Sequence, residues 1–288
     1  MNLSSIRREW SANPVREMLA GAVATFALIP EVIVFSFVAG VDPQVGLFAS
    51  FIIGIVIAFT GGRPAMISAA AGSVALVVAP LVAIHGVQYL FAAGLLAGLI
   101  QILFGVLGLS ALMRFVSQSV RTGFVNALAL LIFAAQLPHI IGGDALAYAM
   151  LAAGLVVIYL APRITTAIPS PLICILLLTL VSVFMDLPVK TVADLGQLPD
   201  ALPIFSWPMV PLTWETLTII IGPALAIAMV GMLESLMTAS VVDDLTATTS
   251  SKDRECTGLG LANIASSLFG GIAGCGMIGQ TVSNVKYG

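Results

Sequence analysis

Charged side chains are scarce in this sequence: Asp, Glu, Lys and Arg make up 9% of its 288 residues. Soluble domains carry about 25% charged residues, so this chain cannot cover a water-facing surface, which excludes a soluble enzyme. Its 11 basic residues are outnumbered by 14 acidic ones, which argues against a basic surface for nucleic acid. With 59% hydrophobic residues and a mean hydropathy of +1.11, the composition is that of a polytopic membrane protein.

Cysteine and histidine are also rare. The three cysteines, Cys174, Cys256 and Cys275, have no paired spacing, so neither a disulfide framework nor a structural zinc site is predicted. The two histidines, His85 and His139, fall at predicted outer turns with no constellation of partner residues. An enzyme is therefore the least favoured class of function, and no cofactor is predicted.

Charge-poor stretches divide the chain into about ten hydrophobic segments. A membrane helix needs about 20 apolar residues to cross about 30 Å of hydrocarbon, and the charge-free stretch from Pro64 to Met113 is long enough for two. The first segment is predicted to be a helix rather than a cleavable signal, because its apolar run is too long. The segments are 18–40, 46–60, 65–84, 88–111, 121–138, 145–161, 168–185, 216–242, 257–272 and a last one from 274.

Basic residues predict the orientation of these segments. If the N-terminus is cytoplasmic and every segment crosses, ten of the eleven basic residues fall inside and only Lys190 falls outside. An excess of cytoplasmic Lys and Arg is typical of membrane proteins. The residues predicted inside are Arg7, Arg8, Arg16, Arg63, Arg114, Arg121, Arg163, Lys252, Arg254 and Lys286. This count requires segments three and ten to be broken.

Segments three and ten do not read as ordinary helices. Each opens with a Gly-Gly pair, at 61–62 and 270–271, and continues through small residues. Close helix packing through small residues explains segment three equally well. For segment ten, Gly274, Gly276 and Gly279 crowd one short stretch, which favours an interrupted helix.

Two acidic residues, Glu31 and Glu234, lie deep inside predicted spans. A charge at the middle of the bilayer costs about 2.5–3.5 kcal/mol on insertion scales, so such a residue is a functional candidate. The alternative is a neutral, hydrogen-bonded glutamic acid. Thr238 lies one helical turn after Glu234 and Ser235 is adjacent, which offers several oxygens to a cation or a polar rim to an anion.

The two acids and the two broken segments recur with the same spacing. Glu31 precedes Gly72 by 41 residues, and Glu234 precedes Gly276 by 42. The two acids are 203 residues and seven segments apart, and an odd number of crossings inverts the second copy. Inverted repeats with paired broken helices indicate a secondary transporter. A half-helix leaves its first amides without partners, and these amides with the helix dipole attract an anion.

Several motifs resemble those of the SulP-type anion permeases, the family of sulfate, bicarbonate and other small-anion transporters. Leu233-Glu234-Ser235-Leu236-Met237-Thr238 followed by Asp243-Asp244 is close to the family pattern of span eight. The other matching stretches are Leu28-Ile29-Pro30-Glu31, 119–126, Gln136-Leu137-Pro138, Leu261-Ala262-Asn263-Ile264, Phe269-Gly270-Gly271 and Thr281-Val282-Ser283-Asn284-Val285. The resemblance extends over nearly the whole chain.

The resemblance implies an all-α polytopic fold of two inverted seven-span repeats (7+7) with two broken half-helices. A core of spans 1–4 and 8–11 would carry the site, and spans 5–7 and 12–14 would form a gate. Residues 1–288 would then be a partial transmembrane domain, with spans 1–4 and 8–10 of the core and 5–7 of the gate. Four spans and any cytoplasmic STAS domain are expected to be missing, either because the chain is a fragment or because the gene is truncated.

The predicted site joins the half-helix openings to the acids. Amides of residues 70–72 and 277–279 are expected to cradle the anion. The predicted substrate-binding residues are Glu31, Ser68, Ala70, Ala71, Gly72, Gly276, Met277, Ile278, Gly279 and Gln280. The predicted coupling residues are Glu234, Ser235 and Thr238, with Glu234, Thr238 and Gly276 as candidate Na⁺ ligands.

Three departures from the family pattern bear on coupling. Many members have Arg where Gln280 stands, sodium-coupled members have Thr where Ile278 stands, and Gln is common where Glu31 stands. Two acids and no Arg make an electronegative core that repels a bare anion. The sequence therefore favours symport over exchange, with a proton on Glu31 or Glu234, or Na⁺ at Glu234 and Thr238.

The predicted function is secondary active transport of a small inorganic anion across the cytoplasmic membrane. Sulfate and bicarbonate both suit two half-helix ends, and a homodimer is left open for the full-length form. Two alternatives remain: a non-transporting membrane scaffold or receptor derived from the same fold, and a nucleobase-type permease with the same inverted architecture.

Overall fold

The computed structural model describes residues 14–111, 118–164, 170–188 and 196–287. Within these ranges it contains ten helices and two short strands, in the order α1, α2, β1, α3 to α9, β2, α10. The helices are α1 Pro14–Ala39, α2 Pro43–Thr60, α3 Gly72–His85, α4 Val87–Val106, α5 Gln118–Ile140, α6 Ala145–Ile164, α7 Ser170–Phe184, α8 Trp214–Thr246, α9 Lys252–Leu268 and α10 Ile278–Tyr287. The strands are β1 Ser68–Ala70 and β2 Gly274–Gly276.

Each of the ten predicted segments corresponds to one helix; α3 begins seven residues after the predicted start of segment three, and the other ends differ by five residues or fewer. Among the described residues, five helices are long and apolar enough to cross a membrane; they lie at Glu17–Ala39, Pro43–Thr60, Val87–Val106, Ala145–Ile164 and Trp214–Thr246. The polytopic all-α prediction is therefore confirmed. Four of the basic residues that predict the orientation lie outside the described residues, namely Arg7, Arg8, Arg114 and Lys190.

Segments three and ten are both broken, as the sequence predicts. α3 has 14 residues, fewer than the roughly 20 needed for a full crossing, and α10 begins only at Ile278, after the extended residues of β2. Each half-helix follows a three-residue strand, and the two strands pair antiparallel with Ala69 opposite Cys275. For segment three, the sequence fits either a closely packed helix or a broken one, and the structure has the broken one.

Small residues allow the two strands to meet. A Cβ added to Gly274 would lie 2.0 Å from the Ala69 carbonyl oxygen, so only glycine fits opposite β1. The sequence did not predict this sheet, because it joins stretches about 200 residues apart and each strand has only three residues.

Among the described residues, the most extensive helix contact is between α4 and α9. A Cβ on Gly98 would lie 2.6 Å from the Gly260 carbonyl oxygen, and a Cβ on Gly260 would lie 2.5 Å from the Gly98 carbonyl oxygen. Close backbone approach through glycine is a common way to pack helices in membranes. α9 also packs on α2, and α8 packs on α4 and β2, so these helices enclose the paired strands.

The helices α5 to α7 lie to one side of this group. α6 packs on α7, while α5 contacts α1 and α3. The division into a core of spans 1–4 and 8–10 and a gate of spans 5–7 stays a prediction.

Candidate functional site

A cavity of about 260 Å³ lies where the two half-helices begin. Its lining comes from α1, α3, α5, α8 and the start of α10, elements that are far apart in the sequence. The lining residues are Glu31, Phe35, Gly72, Phe124, Val125, Ile132, Glu234, Met237, Met277, Ile278, Gly279 and Gln280. Seven predicted site residues therefore meet here, namely Glu31, Gly72, Glu234, Met277, Ile278, Gly279 and Gln280.

Both half-helices begin beside this cavity. In α3, the first amide that donates to a carbonyl oxygen one turn earlier is that of Ala75, whose acceptor is the Ala71 carbonyl oxygen. In α10, the corresponding amide is that of Thr281, which donates to the Met277 carbonyl oxygen. The helical amides before these two, at residues 72–74 and 278–280, have no intrahelical acceptor, as at any helix amino terminus. Four of these six amides belong to residues that line the cavity, namely Gly72, Ile278, Gly279 and Gln280, and the positive dipole ends of both helices lie beside it.

Other amides of the predicted cradle are engaged within the protein. The amide of Ala70 donates to Ser50 Oγ at 3.3 Å, and that of Met277 donates to the Ile67 carbonyl oxygen at 2.8 Å. Ala70 and Ala71 are fully buried and do not line the cavity. In this conformation, the amides at the first helical residues are better placed for a ligand than those of the strands.

Glu234 faces both half-helix openings from α8. Its Oε2 accepts hydrogen bonds from the Ser73 hydroxyl at the start of α3 and from the Cys275 thiol of β2, the latter at 3.1 Å. Neither donor is among the residues predicted for the site. Cys275 could have been found from its place among the glycines of segment ten, and Ser73 from its place directly after Gly72.

Glu31 contacts the second half-helix from α1. The Gln280 side-chain amide donates to Glu31 Oε2 at 2.6 Å. Gln280 is buried and Glu31 is partly buried. Gln280, at the position where the resemblance implies Arg, is thus hydrogen-bonded to Glu31, at the position where it implies Gln.

The remaining predicted residues lie behind the cavity. Ser235 Oγ accepts a hydrogen bond from the Gly276 amide at 2.8 Å, and Thr238 Oγ1 lies 2.8 Å from the Glu234 carbonyl oxygen and 3.3 Å from that of Gly276. Ser68 is buried in β1, and its hydroxyl has no hydrogen-bond partner among the described residues. Ser235 therefore holds β2 through the Gly276 amide, while the Thr238 hydroxyl lies within hydrogen-bond distance of two carbonyl oxygens, those of Glu234 and Gly276.

Side chains of α10 hold the chain ahead of β1. Thr281 Oγ1 accepts from the Ile67 amide at 3.0 Å, and the Asn284 side-chain amide donates to the Ala65 carbonyl oxygen at 2.9 Å. Both residues belong to the stretch Thr281–Val285. This stretch resembles a family motif, but the sequence alone predicted no role for Thr281 or Asn284. Polar side chains within a predicted span are unusual, and this feature could have identified Thr281 and Asn284 from the sequence.

Two broken helices that open into one cavity, beside a pair of intramembrane acids, define a membrane protein of the inverted-repeat (7+7) transporter class. The model of the sulfate permease family matches residues 15–148 and 145–288. The chain therefore belongs to the sulfate permease family.

Relatives and solved structures agree with this assignment. YbaR of Bacillus subtilis, a protein named for sulfate transport, is 52% identical over 100% of this chain and 60% of its own length. The bicarbonate transporter BicA of Picosynechococcus is 26% identical over 94% of this chain and 53% of its own length. The chain thus spans a little over half the length of these curated relatives.

Two solved structures have the same fold. The transmembrane domain of a cyanobacterial bicarbonate transporter BicA matches with a TM-score of 0.83 and 25% identity, over 96% of this chain and 78% of that one. The murine anion transporter Slc26a9 in its inward-facing state matches with a TM-score of 0.82 and 17% identity, over 97% of this chain and 55% of that one; at this identity the likeness speaks for the fold alone.

Proposed function

We propose that the protein is a secondary active transporter of a small inorganic anion, with sulfate or bicarbonate as substrate, across the cytoplasmic membrane. The observation that carries this proposal is the convergence of two half-helix amino termini on one cavity. Backbone amides and dipoles at helix amino termini bind anions without a fixed positive side chain. The names of YbaR and BicA support these two anions.

The charges around the cavity support symport. Glu31 and Glu234 line it, and none of the described residues that line it is Lys or Arg. Like charges a few ångströms apart repel strongly where the dielectric constant is low. An anion that enters beside an ionised carboxylate therefore needs a cation or a proton to accompany it.

Glu234 is the proposed coupling residue, and two forms of coupling fit its surroundings. Na⁺ prefers oxygen ligands, and the Thr238 hydroxyl with the Gly276 carbonyl oxygen offers two such atoms 3.3 Å apart, with Thr238 one helical turn after Glu234 on α8. Alternatively, Glu234 carries the proton itself. Both forms of coupling thus use the same acid, and separately imposed sodium and pH gradients distinguish them.

Uptake by reconstituted protein tests the proposal. The protein is expressed from its complete reading frame, placed in liposomes, and offered labelled sulfate or bicarbonate under a sodium gradient or a pH gradient imposed separately. Concentrative uptake driven by one gradient is expected, and protein-free liposomes give the blank. Properly folded protein that takes up neither anion above the blank would contradict the proposal and favour the scaffold or receptor alternative.

A further inference from the structure

Two fully buried amide side chains, Gln101 of α4 and Asn263 of α9, lie against the outer edge of β2. They meet at the contact between α4 and α9 that Gly98 and Gly260 make possible. The half-helix site described above does not include them. Buried polar side chains in a membrane core are costly unless hydrogen-bonded, so their placement calls for an explanation.

Asn263 binds one residue of β2 much as a neighbouring strand would. Its Oδ1 accepts from the Gly274 amide at 2.8 Å, and its Nδ2 lies 3.2 Å from the Gly274 carbonyl oxygen. The other edge of β2 pairs with β1. A backbone segment inside a membrane needs internal partners for its polar groups, and Asn263 supplies them at the edge that no strand covers.

Gln101 provides the second acceptor for the Asn263 side-chain amide. The N–H and carbonyl groups of Gly274 set which end of the Asn263 amide accepts and which donates, and Asn263 Nδ2 also donates to Gln101 Oε1 at 2.8 Å. Gln101 Nε2 in turn lies against α8, where a Cβ on Gly231 would be only 3.1 Å from it. Gln101 Nε2 has no hydrogen-bond partner among the described residues, so Gln101 acts on β2 only through Asn263.

We propose that Gln101 and Asn263 form an amide clamp that positions β2, and through β2 the amino terminus of α10, for anion binding. Gly274 lies four residues before Ile278, the first residue of α10. A shift of β2 along the sheet would therefore move the amides at 278–280 and the Cys275 thiol that contacts Glu234. The clamp residues are positioning residues, and their role in binding rests on the proposed function.

The first test measures the position of β2 without any transport. Cys275 is fully buried, so a maleimide labels it slowly in the native protein. Asn263→Leu removes every clamp bond and is expected to raise the labelling rate of Cys275 about tenfold or more. Cys174 and Cys256 are replaced by Ala throughout. Unchanged labelling in properly folded Asn263→Leu protein would overturn the clamp.

The second test separates binding from turnover. In the transport assay, Asn263→Leu is expected to raise the anion KM about tenfold, with a smaller change in kcat. Gln101→Met is expected to raise KM only a few-fold, because Asn263 keeps both contacts with Gly274. The double variant is expected to match Asn263→Leu, since Gln101 acts only through Asn263; effects that multiply instead would contradict the clamp.

A matched control comes from the same helix. Ser267 is buried one turn after Asn263, and its hydroxyl has no hydrogen-bond partner in the described part of the chain. Ser267→Ala is expected to leave both labelling and KM unchanged. If Asn263→Leu does not fold, Gln101→Met decides the matter: faster labelling supports the clamp, and native labelling overturns it. A native protein that transports neither anion, but whose labelling responds as expected, would contradict the proposed function and leave the positioning of β2 supported.

Discussion

Glu31 and Glu234 both line the cavity, yet their surroundings differ. Glu234 accepts hydrogen bonds from a hydroxyl and a thiol, one from each half-helix region. Glu31 accepts one from the Gln280 amide. Glu234 thus connects the two halves of the site, while Glu31 contacts only the second.

Replacing Glu234 is therefore expected to affect coupling more strongly than replacing Glu31. Glu234→Gln keeps the shape of the side chain and removes its negative charge. Coupling free energies between two ligands correspond to about 5- to 150-fold in affinity, so gradient-driven uptake is expected to fall at least about tenfold or to lose its dependence on the gradient. The measurement is the initial uptake rate against pH and against sodium concentration.

Glu31→Gln is the matched comparison for this experiment. It introduces the residue that is common in the family at this position, so a milder effect is expected. Unchanged gradient dependence in Glu234→Gln, together with altered dependence in Glu31→Gln, would reverse the ranking of the two acids.

Gly276 is expected to tolerate no bulky replacement. A Cβ there would lie 3.1 Å from both Met66 Cε and Ser235 Cα, and overpacking of this kind typically costs about 1–3 kcal/mol. Gly276→Leu is expected to reduce anion uptake at least about tenfold while the protein still inserts, because the distortion is local to β2.

The control for this variant is Gly54→Leu on α2, where an added Cβ meets no atom within 4 Å. Uptake and membrane yield are measured for both variants, and Gly54→Leu is expected to behave as the native protein does. Native uptake by Gly276→Leu would argue against a site at β2.

Sequence reasoning found the residues that stand out from an apolar background. Glu31 and Glu234 were predictable because an acid in a predicted span is unusual. The partners Ser73 and Cys275 were not, because small polar residues are common in membrane helices and their contacts depend on how distant segments pack. Asn263 appeared only as part of a motif, and its role depends on Gly274, to which it bonds across the turn after α9.

At the scale of helices and strands, the breaks could be predicted and the pairing could not. The Gly-Gly openings and crowded glycines identified segments three and ten. The antiparallel register of Ala69 with Cys275 depends on a tertiary arrangement, since three-residue strands carry no usable periodicity. The hydrogen bonds of Ala70 and Met277 follow from that arrangement and were missed for the same reason.

The close contact of α4 with α9 predicts where small side chains are required. Gly98→Ala places a Cβ 2.6 Å from the Gly260 carbonyl oxygen, so the two helices must move apart. A loss of about 1–3 kcal/mol in the free energy of unfolding is expected, seen as a lower thermal midpoint of the purified protein. Gly222→Ala on α8, where nothing lies within 4 Å of the added Cβ, is expected to change the midpoint little. Equal midpoints for both variants would contradict a packed α4–α9 contact.

The turns at the two ends of the described part of the molecule are held by different contacts. At one end, Asp243 lies 3.4 Å from the Arg63 guanidinium and 2.9 Å from the Lys252 ammonium, so the turn after α2 meets the turn between α8 and α9. At the other end, the Gln44 amide donates to the Gln197 carbonyl oxygen at 3.2 Å, and the Met209 amide donates to the Gln88 side chain at 2.9 Å. By the positive-inside rule, the end with Arg63 and Lys252 is expected to be cytoplasmic.

Labelling of single introduced cysteines tests this orientation. Cys174, Cys256 and Cys275 are all buried, so the native protein gives the blank for a membrane-impermeant maleimide. Leu202 is 72% exposed at the end opposite Lys252, and Thr249 is exposed in the turn between α8 and α9. Leu202→Cys is expected to react in intact cells and Thr249→Cys only after permeabilisation, because the basic end faces the cytoplasm. The reverse pattern would invert the orientation, and reaction of both in intact cells would contradict the placement of the two loops on opposite sides of the membrane.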